Sequence, residues 1–126
     1  MTDMQILVVE DNERNMKLFC EVLESSGYRT LEAETGELAV ALTTEHRPDL
    51  VLMDIHLPDI DGVEALRRLR ANERTASVPV LALTAQAMEG DRERFLAAGF
   101  DGYLSKPVNI MDLLDAVRRY CEGGRR

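Results

Sequence analysis

The sequence has few cysteines, and neither carries the spacing of a disulfide framework or a metal-binding motif. Cys20 and Cys121 are the two cysteines of the chain, and no cluster of histidines accompanies them. Disulfide-stapled secreted domains and zinc sites both need such grouped ligands. We therefore expect two reduced, half-buried thiols on helices.

Long apolar runs and an excess of basic residues are also absent. No apolar run approaches the roughly 20 residues of a membrane span, and the start, Met1–Met4, lacks the basic-then-apolar order of a signal peptide. The formal net charge is −8, which opposes the phosphate neutralisation that nucleic-acid binding requires. We therefore expect a cytoplasmic protein that binds neither nucleic acid nor membrane.

Nothing in the sequence divides the chain into parts. There is no linker rich in proline, glycine or serine, no internal repeat and no low-complexity tract within the 126 residues. This length predicts one domain. We expect an ordered core over about 4–121 and a frayed tail over 122–126.

Short apolar runs alternate with longer amphipathic segments five times along the chain. At least three runs are continuously apolar, which is typical of strands covered on both faces. Five β-then-α units predict an α/β fold, a parallel sheet with helices on both faces and right-handed crossovers. The predicted strands are Ile6–Glu10, Thr30–Ala33, Leu50–Asp54, Val80–Thr84 and Tyr103–Ser105.

The segments between the strands show the spacing of amphipathic helices. Asp61 and Asn109 have the character of helix N-caps, and Gly27 and Gly99 that of helix C-terminal glycines. The fourth helix, from about Met88, is the least well anchored. The predicted inward-facing residues are Met16, Phe19, Val22 and Leu23; Leu38, Ala41 and Leu42; Val63, Leu66 and Leu69; Met88, Phe95 and Leu96; and Ile110, Leu113, Leu114 and Val117.

Polar residues stand at the carboxyl end of four of the five apolar runs. In an open parallel sheet these ends share one edge, and ligands bind in the crevice there. We therefore expect five residues from distant parts of the chain to meet in one pocket. They are Glu10, Asp11, Asp54, Thr84 and Lys106.

Three carboxylates in one crevice require a proton or a cation between them. Two unit charges about 4 Å apart repel by roughly 4 kcal/mol at an effective dielectric constant of about 20. Oxygen ligands without thiolates or imidazoles favour Mg²⁺ (or Mn²⁺), while Lys106 adds an ammonium and Thr84 a hydroxyl. This combination suits a phosphoryl group, and Asp54, alone after a buried strand, is the best candidate for a carboxylate nucleophile.

Four segments together resemble the two-component response-regulator receiver domains, in particular the stand-alone members. They are VVEDN (Val8–Asn12), LVLMDIHLPDIDG (Leu50–Gly62), LALTA (Leu81–Ala85) and GYLSKP (Gly102–Pro107). The resemblance covers essentially the whole chain. It implies a flavodoxin-like (βα)5 sheet with strand order 2-1-3-4-5, for which a chemotaxis member of this family is a standard example.

The resemblance also implies a role for each residue of the pocket. Asp54 would accept a phosphoryl group from a phosphohistidine on a sensor kinase or phosphotransfer protein, and Lys106, before a cis proline, would contact the phosphoryl oxygens. Thr84 and Tyr103 would move on phosphorylation and change the surface of helix 4, strand 5 and helix 5, which a downstream protein reads. The chain would be a switch rather than an enzyme, either a monomer or a phosphorylation-dependent dimer. The implied Mg²⁺ ligands are Glu10, Asp11, Asp54 and the backbone carbonyl of His56.

Simpler explanations exist for single residues, and some stay open. Tyr103 is as readily a core aromatic as a switch residue, and Met16 and Phe19 suit either the core or a kinase-docking patch on the first helix.

His56 and Gln86, two residues after Asp54 and Thr84, flank the route of water to a phosphoryl group. We predict that both tune the lifetime of the phosphorylated state.

Two other protein classes share a parallel sheet with bound phosphate. A phosphatase of the haloacid dehalogenase type needs Asp-x-Asp after the first strand, where this chain has Glu10-Asp11-Asn12. A flavodoxin needs a loop rich in small and hydroxyl residues at the same place, to hold the flavin phosphate. The acidic loop of this chain disfavours both.

Overall fold

The computed structural model describes residues 4–85 and 91–123, and within them five parallel strands form one sheet of order β2-β1-β3-β4-β5. This is the predicted flavodoxin-like order, and the prediction is confirmed. The predicted bounds of the third and fourth strands agree with the structure. The first strand starts and ends one residue earlier than predicted, and the second and fifth strands each start one residue earlier. The strands are β1 (Gln5–Val9), β2 (Arg29–Ala33), β3 (Leu50–Asp54), β4 (Val80–Thr84) and β5 (Gly102–Ser105).

Helices follow the strands, and four of the five α-helices begin at a side-chain cap within the described residues. Asp61 accepts a hydrogen bond from the backbone N–H of Glu64, and Asn109 accepts from those of Met111 and Asp112. Both caps therefore lie where the sequence predicts them. The helices are α1 (Glu13–Ser25), α2 (Gly36–His46), α3 (Gly62–Ala71), α4 (Asp91–Ala98) and α5 (Ile110–Arg118), and a π-helical turn, Arg119–Gly123, continues α5.

The sheet separates two hydrophobic cores. Along β1, Ile6 and Val8 face α1 and α5, while Leu7 and Val9 face α2 and α3, and all four side chains are buried. Because each face is covered, alternation of polar and apolar residues is not required. This explains the continuous apolar runs in the sequence.

Several helix faces differ from the predicted ones. In α2 the buried positions are Gly36, Ala39 and Thr43, whereas Leu38 is 42% exposed. The predicted face of α2 is therefore wrong at Leu38, whereas the predicted Leu42 is partly buried and packs against the core. The fully buried positions of this helix are small residues. The other predicted inward residues that are exposed in the structure are Ala41 in α2, Val63 in α3, Leu96 in α4 and Ile110 in α5.

Gly27 and Gly99 have positive φ at the ends of α1 and α4, as expected of C-terminal glycines. Cys20 and Cys121 are thiols rather than a disulfide, and both are buried rather than half-buried. Helical structure extends to Gly123, while residues 124–126 and Met88 lie outside the described residues. Within the described part of the chain, no helix combines the length and hydrophobicity that crossing a bilayer requires.

Candidate functional site

Parallel register brings the polar residues of different strands to one edge of the sheet. Val9 pairs with Met53, and Asp54 pairs with Leu83, so Glu10, Asp54 and Thr84 lie at nearly the same level. Thr84 pairs with Ser105, and the backbone N–H of Lys106 donates to the carbonyl of Thr84 at 2.7 Å. The predicted meeting of distant residues at this edge is therefore observed.

Three carboxylates form a cluster at the centre of this edge. Each of Glu10, Asp11 and Asp54 has a carboxylate oxygen within 4.8 Å of the others. Glu10 and Asp54 are 1% and 4% exposed, whereas Asp11 is exposed at the mouth of the crevice. Solvent therefore reaches this cluster at Asp11, while Glu10 and Asp54 lie almost entirely below the surface.

Lys106 bridges the two buried acids. Its Nζ donates to Oε1 of Glu10 at 2.7 Å and to Oδ2 of Asp54 at 2.9 Å. The Lys106–Pro107 peptide bond is cis, as the sequence resemblance implies. Burial alone would lower the pKa of the Lys106 ammonium, but its hydrogen bonds to the two carboxylates raise that pKa above its ordinary value. The ammonium therefore stays charged at neutral pH.

Backbone amides complete the hydrogen bonding of both buried carboxylates. The N–H of His56 donates to Oδ1 of Asp54 at 3.0 Å, and the N–H of Asn12 donates to Oε2 of Glu10 at 3.1 Å. Burial raises the pKa of Glu10 despite its bonds to Lys106 and Asn12, and the charge of Asp54 adds to this rise. Burial therefore disfavours the charged form of Glu10, and the hydrogen bonds from Lys106 and Asn12 offset only part of this effect.

The donor set fits a small, hard divalent cation. All the side-chain ligands are carboxylate oxygens, which Mg²⁺ and Mn²⁺ accept and which softer metals do not select. Among the residues that the structure describes, three carboxylates and one ammonium leave an excess of two negative charges at this site, which one divalent ion would neutralise. Glu10, Asp11 and Asp54 are the side chains in place to hold it.

Thr84 and His56 lie beside the acid cluster and line one cavity. Thr84 is 2% exposed at the end of β4. It shares a cavity of about 310 Å³ with His56 and with Phe95 of α4. Thr84 and α4 therefore border the same cavity.

Tyr103 is half-buried in β5, and its ring packs against Phe95, with ring centroids 5.8 Å apart. Phe95 also makes an edge-to-face contact with Phe100, at 5.9 Å. Tyr103 lines a separate groove of about 310 Å³ between α4, β5 and α5. It is therefore both a neighbour of the core and part of a surface, and the two interpretations of this residue are not exclusive.

The structure decides between the two interpretations of Met16 and Phe19 on the first helix. Met16 and Phe19, left open between core and docking patch, are 6% and 4% exposed and belong to the core. Leu18, which the sequence did not single out, is 43% exposed on α1. Gln86 lies outside the described residues.

Sequence reasoning missed the part played by Gly62. A Cβ atom at this position would stand 2.5 Å from the carbonyl oxygen of Asp54, and the N–H of Gly62 donates to Ile55 at 2.8 Å. Only glycine allows the start of α3 to approach the end of β3 so closely. The available signal was a glycine directly after the cap residue Asp61, where nothing else requires glycine.

The family model of the response regulator receiver domain matches residues 6–118, and the chain belongs to this family. It is thus a receiver domain of phosphorelay signalling, a switch domain rather than a classical enzyme. Among its relatives is the polar-differentiation response regulator DivK of Brucella anthropi, 44% identical over 115 residues, which are 91% of this chain and 94% of that protein. DivK of Brucella ovis is similar to the same degree.

Solved structures of receiver domains show the same architecture. The receiver domain of a sensor histidine kinase from Pseudomonas aeruginosa PAO1, with a magnesium ion coordinated in its active-site cleft, has a TM-score of 0.87 and 41% identity, and the match covers 95% of this chain and 98% of that chain. A chain in the co-crystal structure of the Saccharomyces cerevisiae phosphotransfer protein Ypd1 with the receiver domain of Ssk1 has a TM-score of 0.88 and 29% identity, with coverages of 94% and 89%.

Proposed function

We propose that this receiver accepts a phosphoryl group on Asp54 from a phosphohistidine, in the presence of Mg²⁺, and signals through a downstream protein. The observation that carries the proposal is the position of the Asp54 carboxylate, buried between a second acid and the ammonium of Lys106. One carboxylate is thereby held in a fixed position by hydrogen bonds from Lys106 and from the N–H of His56. A nucleophile in phosphoryl transfer needs this fixed position more than it needs activation.

The transfer itself is a simple exchange of bonds. An oxygen of Asp54 forms a bond to phosphorus while the bond from phosphorus to the imidazole nitrogen breaks, and that nitrogen keeps the electron pair. Lys106 lies 2.9 Å from Oδ2 of Asp54, so its ammonium is in reach of a phosphoryl oxygen carried by that atom. No cap or inserted segment is needed, because the domain keeps the group rather than passing it to water.

Glu10, Asp11 and Asp54, with the backbone carbonyl of His56, are the proposed ligands of Mg²⁺. Support comes from the clustered oxygens, from the excess of two negative charges and from the magnesium ion in the Pseudomonas receiver. A bound Mg²⁺ supplies neutralisation of the charge on the phosphoryl oxygens. The exposed position of Asp11 leaves room for solvent or phosphate oxygens beside it, as Mg²⁺ prefers.

The proposed output runs from Thr84 through Phe95 to Tyr103. Phe95 lines the cavity beside Thr84 and also packs against Tyr103, so it joins the site to the surface of α4, β5 and α5. Movement of Thr84 toward a phosphoryl group would change this packing. We propose that a downstream protein reads the result, with the receiver as a monomer or a phosphorylation-dependent dimer.

A phosphotransfer partner would dock beside Lys106. Exposed Leu18 of α1 shares a groove of about 390 Å³ with Pro107 and Val108, next to Lys106. A phosphotransfer protein bound there would face the acid cluster, and the Ypd1 complex with the Ssk1 receiver is a precedent for such a pair.

Three further proposals come from the sequence. They are a cytoplasmic location, a single stand-alone domain, and tuning of the lifetime of the phosphorylated state by His56 and Gln86.

The direct test is loading with a small phosphodonor. Incubation with acetyl phosphate and Mg²⁺, followed by mass spectrometry of the intact chain, should show the gain of one phosphoryl group by the wild type. Asp54→Asn should gain none, the control Asp115→Asn on α5 should load normally, and chelation of Mg²⁺ should prevent loading of the wild type. Equal loading of Asp54→Asn and wild type, or many turnovers of a phosphomonoester, would contradict the proposal.

A further inference from the structure

The loop between β3 and α3 is fastened to the start of α2, far from it in sequence. The carboxylate of Asp59 accepts from the N–H of Gly36 at 2.8 Å and from that of Glu37 at 2.9 Å. These are the first two backbone donors of α2, which the helix itself leaves unpaired. Slight burial acts to raise the pKa of Asp59, but its bonds from these two amides lower it below the ordinary value. We call this pair of bonds the Asp59 brace.

Packing beside the brace is close enough to require glycine. A Cβ atom at Gly36 would stand 2.5 Å from the side chain of Ile60, the residue after Asp59. Thr35 caps the same helix independently, since its hydroxyl accepts from the N–H of Leu38 at 3.1 Å. Helix α2 therefore has one cap of its own and a second that comes from the loop.

The same loop holds the carboxylate of Asp54. Its residue His56 donates its N–H to Oδ1 of Asp54, and its other end closes where Gly62 donates to the carbonyl of Ile55. The Asp59 brace lies between these two attachments. Loss of the brace would free the middle of the loop, and with it the main chain at His56.

We propose that Asp59 is a positioning residue for the divalent-cation site, which it serves by bracing the β3–α3 loop against α2 so that Asp54 and the main chain of His56 are already in place when the ion arrives. The proposal rests on the proposed function, since it presumes that this cluster binds a divalent ion. Residues that orient metal ligands through hydrogen bonds typically change metal affinity by about tenfold or more when they are replaced.

Asp59 could act instead by its charge or by stabilising α2, and two control variants separate these effects. Glu37→Gln removes one negative charge from the same turn of α2 but keeps the backbone N–H that the brace uses. Thr35→Ala removes the other cap of α2 but leaves the loop untouched. Asp59→Asn removes the brace, because an amide offers one acceptor and turns an N–H₂ group toward the second backbone donor.

The experiment measures Mn²⁺ affinity by electron paramagnetic resonance of the free ion, with urea unfolding of each variant alongside. We expect Asp59→Asn to bind Mn²⁺ roughly tenfold more weakly than wild type, and Glu37→Gln and Thr35→Ala to stay within about twofold. Amide hydrogen exchange without metal should show faster exchange at His56 in Asp59→Asn but not in Thr35→Ala.

Three results would count against this proposal, and a fourth would count against the proposed function. Unchanged Mn²⁺ affinity in Asp59→Asn would overturn it. An equal loss in Glu37→Gln would assign the effect to charge, and an equal loss in Thr35→Ala would assign it to the stability of α2. Failure of the wild type to bind Mn²⁺ at all would instead overturn the proposed function.

Discussion

Removal of the Lys106 ammonium should destabilise the metal-free protein, and the structure gives the size of the effect. Lys106→Met deletes two charge-assisted hydrogen bonds, to Glu10 and to Asp54, whose side chains are only 1% and 6% exposed. Such bonds contribute about 1.5–3 kcal/mol each. Loss of one partner from a buried ion pair costs about 3–5 kcal/mol.

Repulsion between the two remaining acids gives a similar figure. Their carboxylate oxygens lie within 4.8 Å of each other, at which distance two unit charges repel by about 3.5 kcal/mol at an effective dielectric constant of about 20. Because Lys106 is 19% exposed, water compensates for part of its loss. We expect a decrease of about 3 kcal/mol in the free energy of unfolding near pH 7, a large share of the roughly 5–15 kcal/mol of a typical domain.

The pH dependence of this decrease has a definite sign. Burial raises the pKa of Glu10 in the folded protein, so the native state binds more protons than the unfolded state in the range above the ordinary glutamate pKa of about 4.3. Stability from this group is present below that value and is lost as the pH rises through the folded pKa. Without the ammonium that pKa rises further, so the deficit of Lys106→Met should shrink toward about pH 5.

Urea unfolding followed by circular dichroism, without divalent ions, measures the effect. Lys17→Met is the matched control, since Lys17 is the other lysine of the chain and is exposed on α1. Addition of Mg²⁺ should restore part of the stability of Lys106→Met, because a cation that binds only the folded state stabilises it. A free energy of unfolding for Lys106→Met within about 0.5 kcal/mol of wild type near pH 7 would refute the reasoning.

Three further variants test the surrounding structure. Gly62→Ala should cost about 1–3 kcal/mol in urea unfolding and weaken Mn²⁺ binding, because its Cβ would stand 2.5 Å from the Asp54 carbonyl oxygen; unchanged values would contradict this close approach. Arg70 donates to the carbonyls of Gly99, Ala76 and Val78 and to the Asp101 carboxylate. Because lysine has fewer donors, Arg70→Lys should lower the free energy of unfolding by about 2 kcal/mol. The control Arg67→Lys, on the exposed side of α3, should leave the free energy of unfolding unchanged. Burial raises the pKa of the Cys20 thiol to about 11. In the Cys121→Ser variant, Cys20 should therefore react with a disulfide reagent at least about 100-fold more slowly in the folded protein than in the urea-unfolded protein. Equal rates in the two states would exclude the buried position of Cys20.

The sheet could be predicted from the sequence because both of its faces are covered. Central strands such as Leu50–Asp54 are continuously apolar and end at a polar residue, so their bounds are visible in the sequence. The edge strand β2 has exposed residues at Arg29 and Glu32, and its start was placed one residue late. Edge strands lose part of the apolar signal because one side of them meets solvent.

The orientation of α2 could not be predicted from apolar spacing. Thr43 faces the core because its hydroxyl donates to the carbonyl of Ala39 at 2.7 Å, which satisfies it within the helix. Ala39 and Gly36 allow the helix to lie close to its neighbours, whereas Leu38 faces outward. Periodicity weighs large apolar residues most, while close packing here selects small ones.

The amino-acid sequence by itself determined the alternation of strands and helices, and with it the edge where Glu10, Asp54 and Lys106 would meet. Tertiary structure alone decided that one ammonium bridges two buried acids and that Asp59 holds a helix 22 and 23 residues away in the chain. The physical reason is range. The alternation of strands and helices follows from local hydrophobic patterns, and the parallel sheet from connection rules, whereas hydrogen bonds between loops depend on how closely separate elements pack, which no local pattern records.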